Sequence, residues 1–135
     1  KDKKDIKTAI KLGCNWIALS YIQNEKLIHE TRKIIRKDMG IISKIENDLA
    51  LKNITKIINS TDAIMVARGD LAIDIGHSEV PKVQLSLIKK CSLGPEALIL
   101  MMECGEGCGM KTQISQLVLF NRQIKKFCFQ TTRSP

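Results

Sequence analysis

Four short apolar runs most constrain what this chain can become: residues 15–20, 40–45, 63–67 and 97–102, which together are rich in Ile, Leu, Met and Val. Their hydrophobicity is near-continuous rather than alternating, which suits strands covered on both faces, as those of a parallel sheet are. The stretches between them carry helical spacing instead. Leu27, Ile28, Thr31, Ile34 and Ile35 set one apolar stripe on a helix predicted over 25–37, while Glu30, Arg32 and Lys33 face outward. Ala50, Ile54, Ile57 and Ile58 repeat the pattern, as do Val80, Val83, Leu87, Ile88 and Cys91. A first helix is predicted over 5–12, closed by Gly13 as a C-terminal cap, and a last one over 112–126. Parallel strands need crossover connections, so the alternation of strand and helix predicts an α/β fold.

Ser20, Lys44 and Arg68 end or nearly end three successive strands at a constant 24-residue interval. That regularity resembles the βα unit of a (β/α)8 barrel, of which about four units would be present, a partial TIM barrel. An open doubly wound sheet remains compatible with it. In both architectures, polar residues at the carboxyl ends of strands are the first candidates for a site.

Composition narrows the function classes. With 135 residues, 44% of them hydrophobic, and only three Pro and eight Gly, the chain reads as one globular unit without a flexible linker. The net charge of +8 raises the question of an acidic partner. The cations are dispersed, however, as in Lys1, Lys3 and Lys4, then Lys33, Arg36 and Lys37, then Lys89 and Lys90, then Lys125 and Lys126. Dispersed charge and 4% aromatic content argue against a nucleic-acid face. Five cysteines without a disulfide framework, behind an opening Lys-Asp-Lys-Lys, suggest a reducing cytoplasm. The longest apolar run, 97–102, is too short to cross a bilayer. Cys104 and Cys108 form a single pair without the two further ligands of a structural zinc, and are read as part of a loop. His29 on a helix and His77 in a loop lack a nucleophile motif, and Trp16 is expected to pack on its strand.

The second run ends in Lys44-Ile45-Glu46, two charged residues that share one face of a strand. Alone, they support an ion pair at a strand end and an anion site beside a metal ligand equally well. The third run tips the balance, because Ile64-Met65-Val66-Ala67 leads directly into Arg68-Gly69-Asp70-Leu71. Gly69 permits close approach to the backbone, and its amide and its neighbour's can donate to an anion. Asp70 can join Glu46 as a second oxygen ligand for Mg2+, and Lys44 can neutralise charge on a transferring phosphoryl group.

Residues 42–47 and 64–71 resemble, nearly letter for letter, the two adjacent active-site signatures of pyruvate kinase. Residues 2–5, Gly13 and Ala18-Leu19-Ser20-Tyr21-Ile22 resemble the helix and strand that precede them in that family, and Glu79-Val80-Pro81 to Lys90-Cys91 the helix that follows. The resemblance covers about residues 1–94, with 95–135 as a divergent continuation of the same domain. It implies phosphoryl transfer from phosphoenolpyruvate to ADP, giving pyruvate and ATP in glycolysis, with Mg2+ and usually K+, in a cytoplasmic enzyme that is usually homotetrameric. By the same resemblance, Lys44 stabilises the phosphoryl group in flight and contacts substrate, and Glu46 and Asp70 ligate Mg2+. Gly69 and Asp70 bind phosphoenolpyruvate through the backbone, and Arg68 supports a carboxylate from behind.

The chain departs from that pattern in three ways. Tyr21-Ile22-Gln23 stands where the family usually has phenylalanine, an apolar residue and arginine. Leu98 to Glu103 supplies no threonine where the family uses one against substrate. The expected K+ ligands, the early strands and the lid over the nucleotide have no counterpart in the sequence. Half a barrel leaves two strand edges open, so the chain alone is expected to be inactive, or to be a noncatalytic truncated or degenerate product that assembles with another chain.

Overall fold

The computed structural model describes residues 2–92, 98–102 and 116–118. Its elements run α1 (Asp2–Lys11), β1 (Trp16–Leu19), α2 (Lys26–Arg32), β2 (Gly40–Ile45), α3 (Asp48–Lys52), α4 (Ile54–Ile58), β3 (Ala63–Ala67), α5 (Arg68–Ile75), α6 (Val80–Ser92), β4 (Leu98–Met102) and β5 (Gln116–Val118). The strands form one sheet in chain order, β1-β2-β3-β4-β5. The first three pairings are parallel, with Ala18 beside Ile42, Ile42 beside Ala63 and Ala63 beside Leu98. The chain is thus an α/β protein. All four apolar runs are strands.

The pleat sorts the side chains onto two faces. One carries Ile17, Leu19, Ile41, Ile45, Ile64 and Val66, and against it pack Ile6 and Ala9 of α1, Ile28 of α2, Ile54 and Ile57 of α4, Leu71 of α5, and Leu87 and Cys91 of α6. The other carries Ala18, Ile42, Ala63 and Met65, with Trp16 at its margin, and no described helix contributes to that cluster. The described helices therefore cover one face only. Lys44, paired in register with Met65 and two residues from Ile42, lies on the same strand face as they do, away from the helices. Trp16 does pack on its strand, lying over Gly40 so closely that a Cβ there would fall 2.3 Å from its ring.

Four expectations are corrected. The helix predicted over 25–37 stops at Arg32, where Ile34 N donates to Thr31 O three residues back and tightens the last turn. The stripe through Ala50 and Ile58 is two short helices, broken at Asn53, whose Nδ2 donates to Gln23 O and Leu49 O. Arg68 to Asp70, read as a polar strand end, is the first turn of α5. Within the predicted helix 112–126, Gln116–Val118 is a strand antiparallel to β4. The rest of that helix, Ala97 of the fourth run, and the Cys104–Cys108 loop lie outside the described residues.

Below the strands, at their amino ends, Asp62 Oδ2 accepts from Arg32 Nη2 (2.6 Å) and from Ile41 N (2.7 Å), while Arg32 Nη1 donates to Met39 O (3.0 Å). This clasp ties α2 to the entrances of β2 and β3. Every buried side-chain nitrogen and oxygen among the described residues has a partner, including buried Ser43, whose Oγ donates to Thr61 Oγ1 at 3.0 Å. Neither Cys14 nor Cys91 is in a disulfide, and both are buried. Among the described residues no helix is long and apolar enough to cross a membrane.

Candidate active site at the carboxyl ends of the strands

The chain leaves β1, β2 and β3 at the same edge of the sheet, because those strands are parallel and adjacent. Ser20 and Tyr21 follow β1, Glu46 and Asn47 follow β2, and Arg68, Gly69 and Asp70 open α5 with no residue between it and β3. Sequence spacing alone could align these positions. The parallel register is what places them at one edge.

Lys44 and Glu46 form an ion pair with side chains 13% and 1% exposed. Glu46 is the one buried side chain among the described residues that carries a charge at neutral pH. Burying a carboxylate is strongly unfavourable unless charge and hydrogen bonds compensate it. Two groups do so here, and a third holds the lysine. The Lys44 ammonium meets Oε1, Tyr21 N donates to Oε2 at 2.5 Å, and Ser20 Oγ accepts from Lys44 Nζ at 3.3 Å. Residues from β1 and β2 thus share one polar cluster. A carboxylate oxygen can take two donors, so each Glu46 oxygen keeps acceptor capacity for a further partner.

Asn47 fixes the turn beyond Glu46. Its Oδ1 accepts from Ala50 N at 2.8 Å as the cap of α3, and its Nδ2 donates to Ile22 O at 3.4 Å, tying the exits of β1 and β2 together. Helix α5 is anchored to the same turn, because Asp74 Oδ2 accepts from Asp48 N at 2.7 Å. Asp70 stands one turn earlier on the same helix face as Asp74, towards the strand end. Asp70 is exposed, and its side chain enters no hydrogen bond or ion pair with another described residue. The first-turn N–H groups of α5 have no intrahelical acceptor, and Ala67 offers no side-chain cap.

Arg68 and Gly69 line an open pocket of about 300 Å3, with His77, Pro81 and Gln84 across it. His77 is exposed, in the turn between α5 and α6. His29 is exposed on α2, 3.5 Å from Ser60 Oγ. Of the residues chosen from sequence, then, Lys44 and Glu46 touch directly, and Gly69 and Asp70 stand at the next strand end. Arg68 turns into the pocket. Ser20 and the Tyr21 amide are members of the cluster that sequence reasoning did not assign a role. Ser20 carried a signal in the 24-residue interval, whereas a backbone N–H leaves no trace in residue type.

A family model, pyruvate kinase barrel domain, matches residues 1–107. The chain is 41% identical over 99 residues to a pyruvate kinase of Agrobacterium vitis, covering 73% of this chain and 21% of that protein. It is 44% identical over 102 residues to a pyruvate kinase of Debaryomyces hansenii, covering 73% of this chain and 20% of that one. A pyruvate kinase of Geobacillus stearothermophilus is 39% identical over 97 residues, 69% of this chain and 16% of its own length. The chain belongs to the pyruvate kinase family. It spans about a fifth of the length of these curated relatives. The matched segment includes every residue of the polar cluster, so the resemblance carried by the two signatures extends through β1 to β4.

Proposed function

We propose that the chain is a segment of a pyruvate kinase barrel carrying half of the site that transfers phosphate from phosphoenolpyruvate to ADP. The observation that carries the reading is the Lys44–Glu46 pair, held at the exit of β2 beside the first turn of α5 within the family-matched stretch. In this reading Lys44 contacts the phosphate and stabilises charge during transfer. Gly69 and Asp70 present first-turn amides to the anionic substrate. Arg68 supports the site from the adjacent pocket wall.

The donor set suits Mg2+. Glu46 and Asp70 are hard oxygen ligands, and Mg2+ is commonly held by one or two carboxylates plus substrate oxygens and water. Among the described residues no group of three or more His, Cys, Asp and Glu could hold an ion by itself, which agrees with a site that substrate completes. Bound there, Mg2+ would neutralise phosphate charge as a Lewis acid. K+ is a family expectation without identified ligands in this chain.

The partial-barrel reading draws support from two features: sheet order equal to chain order, and described helices that cover one face only. A doubly wound sheet would place helices on both faces. The other face, lined by Ala18, Ile42, Ala63 and Met65 and ending in Lys44, would then be the barrel interior. The reading keeps the protein in the cytoplasm, as part of a homotetrameric enzyme, with neither nucleic acid nor membrane as partner. The noncatalytic alternative, a degenerate chain that assembles with another, rests on the absence of threonine from residues 98–102.

Because the chain spans about a fifth of its relatives, the 135-residue chain alone should form no ATP from phosphoenolpyruvate and ADP with Mg2+ and K+ present. Positioning the two substrates in line can supply roughly 7 to 11 kcal/mol of barrier reduction, and a half-site does not supply it. A coupled assay of ATP and pyruvate checks this, with Lys44→Met and Asp70→Ala as controls against contaminating enzyme. Turnover in the wild-type chain that vanishes in both variants would show the segment to be active by itself.

A further inference from the structure

Tyr21 is the one non-glycine residue among the described residues with positive φ, at 54°. An L-residue is sterically disfavoured in that left-handed region, and glycine or asparagine usually occupies it. Packing does not account for the conformation, because the Tyr21 side chain projects into solvent, 63% exposed. What the conformation accomplishes is at the backbone. It turns the Tyr21 N–H onto Glu46 Oε2 at 2.5 Å, while the next residue, Ile22, drops into the core at 1% exposure. Unfavourable backbone geometry persists where its surroundings over-determine it, and such positions cluster at functional sites.

We infer that Tyr21 is a positioning residue for the metal ligand Glu46, acting through its backbone amide and not through its ring. The inference rests on the proposed role of Glu46 as a ligand. Without the amide, Glu46 would keep only the Lys44 ammonium, on its other oxygen, and its carboxylate could rotate about the terminal bond. With both oxygens tethered, one to β1's exit and one to a side chain of its own strand, the carboxylate plane is fixed and the remaining acceptor directions are aimed. Partners of this kind orient metal ligands, and their loss typically lowers metal affinity about 10- to 100-fold.

The test uses the full 135-residue chain and Mn2+ as the probe ion, with phosphoenolpyruvate present throughout to complete the site and free Mn2+ read by electron paramagnetic resonance. In one variant the Ser20–Tyr21 amide is replaced by an ester, using the α-hydroxy analogue of tyrosine, which deletes the N–H and keeps the side chain. In a second, Tyr21→Gly keeps the N–H and removes the ring and the steric conflict. Glu46→Gln serves as the reference for loss of the ligand, and circular dichroism identifies a temperature at which all four chains are folded. The expected result is Mn2+ affinity about 10- to 100-fold weaker in the ester and unchanged in Tyr21→Gly. A merely structural bond would lower the ester's melting temperature without moving its Mn2+ affinity, and that result overturns the inference. If Tyr21→Gly weakens Mn2+ as much as the ester does, the ring and not the amide matters, and the inference is again wrong. If the wild-type chain binds no Mn2+, or Glu46→Gln binds it as tightly as wild type, the ligand role of Glu46 fails and this one with it.

Discussion

Lys44 and Glu46 set the energetics of the site at the residue scale. A buried ion pair contributes little relative to apolar residues, but removing one partner strands a buried charge at a cost of about 3–5 kcal/mol. Lys44→Met should therefore lower unfolding free energy by about that amount, towards the smaller figure because the Lys44 side chain is 13% exposed. Adding Glu46→Gln should restore much of the loss. Urea denaturation of the two single variants and the double variant measures this coupling. A second prediction concerns Cys91, where burial pushes the thiol up to about 11 from the usual 9.0. The folded state then keeps a proton that the unfolded chain releases. Stability from this group is complete below pH 9 and is lost as pH rises towards about 11. Comparing the pH dependence of the urea midpoint with that of Cys91→Ala isolates the effect, since the variant should lack this part of the alkaline decline.

At the scale of elements, the strands were the legible part of the sequence, because burial on both faces forces continuous apolar runs. The breaks between elements were less legible. Asn53 interrupts a good apolar stripe through side-chain bonds to Gln23 O and Leu49 O, a tertiary contact that spacing cannot show. Helix α5 is short, contains Gly69 and begins without a side-chain cap, so its start carried no helix signal. The apolar stretch around Gln116–Val118 fits helix or strand equally, and pairing with β4 decides it. In the site, Lys44, Glu46 and Asp70 could be named from residue type, while the Tyr21 amide could not, because a backbone N–H is common to nearly every residue and its contact with Glu46 is set by the fold. One close contact between elements is testable directly. Gly40→Ala would set a Cβ 2.3 Å from the Trp16 ring, and overpacking of this kind costs about 1–3 kcal/mol. Trp16 is the sole tryptophan, so its fluorescence emission should shift in the variant while the urea midpoint falls.

For the whole molecule, the two ends of the sheet have different work. The Arg32–Asp62 clasp closes the amino ends and the polar cluster occupies the carboxyl ends, the division expected of a barrel wall in which one rim stabilises and the other reacts. The central claim is that Lys44, Glu46 and Asp70 form one metal and phosphate half-site rather than a structural ion pair beside an unrelated aspartate. Calorimetric titration of phosphoenolpyruvate into the 135-residue chain, with and without Mg2+, tests it most directly. Asp70 is the informative substitution because it is exposed and its side chain makes no hydrogen bond or ion pair with another described residue, so Asp70→Ala should leave the fold intact. Phosphoenolpyruvate should bind only with Mg2+ present, and the binding should be lost in Asp70→Ala. Binding of equal strength without Mg2+, binding that survives Asp70→Ala, or no binding to the folded wild-type chain with Mg2+ present would contradict the claim.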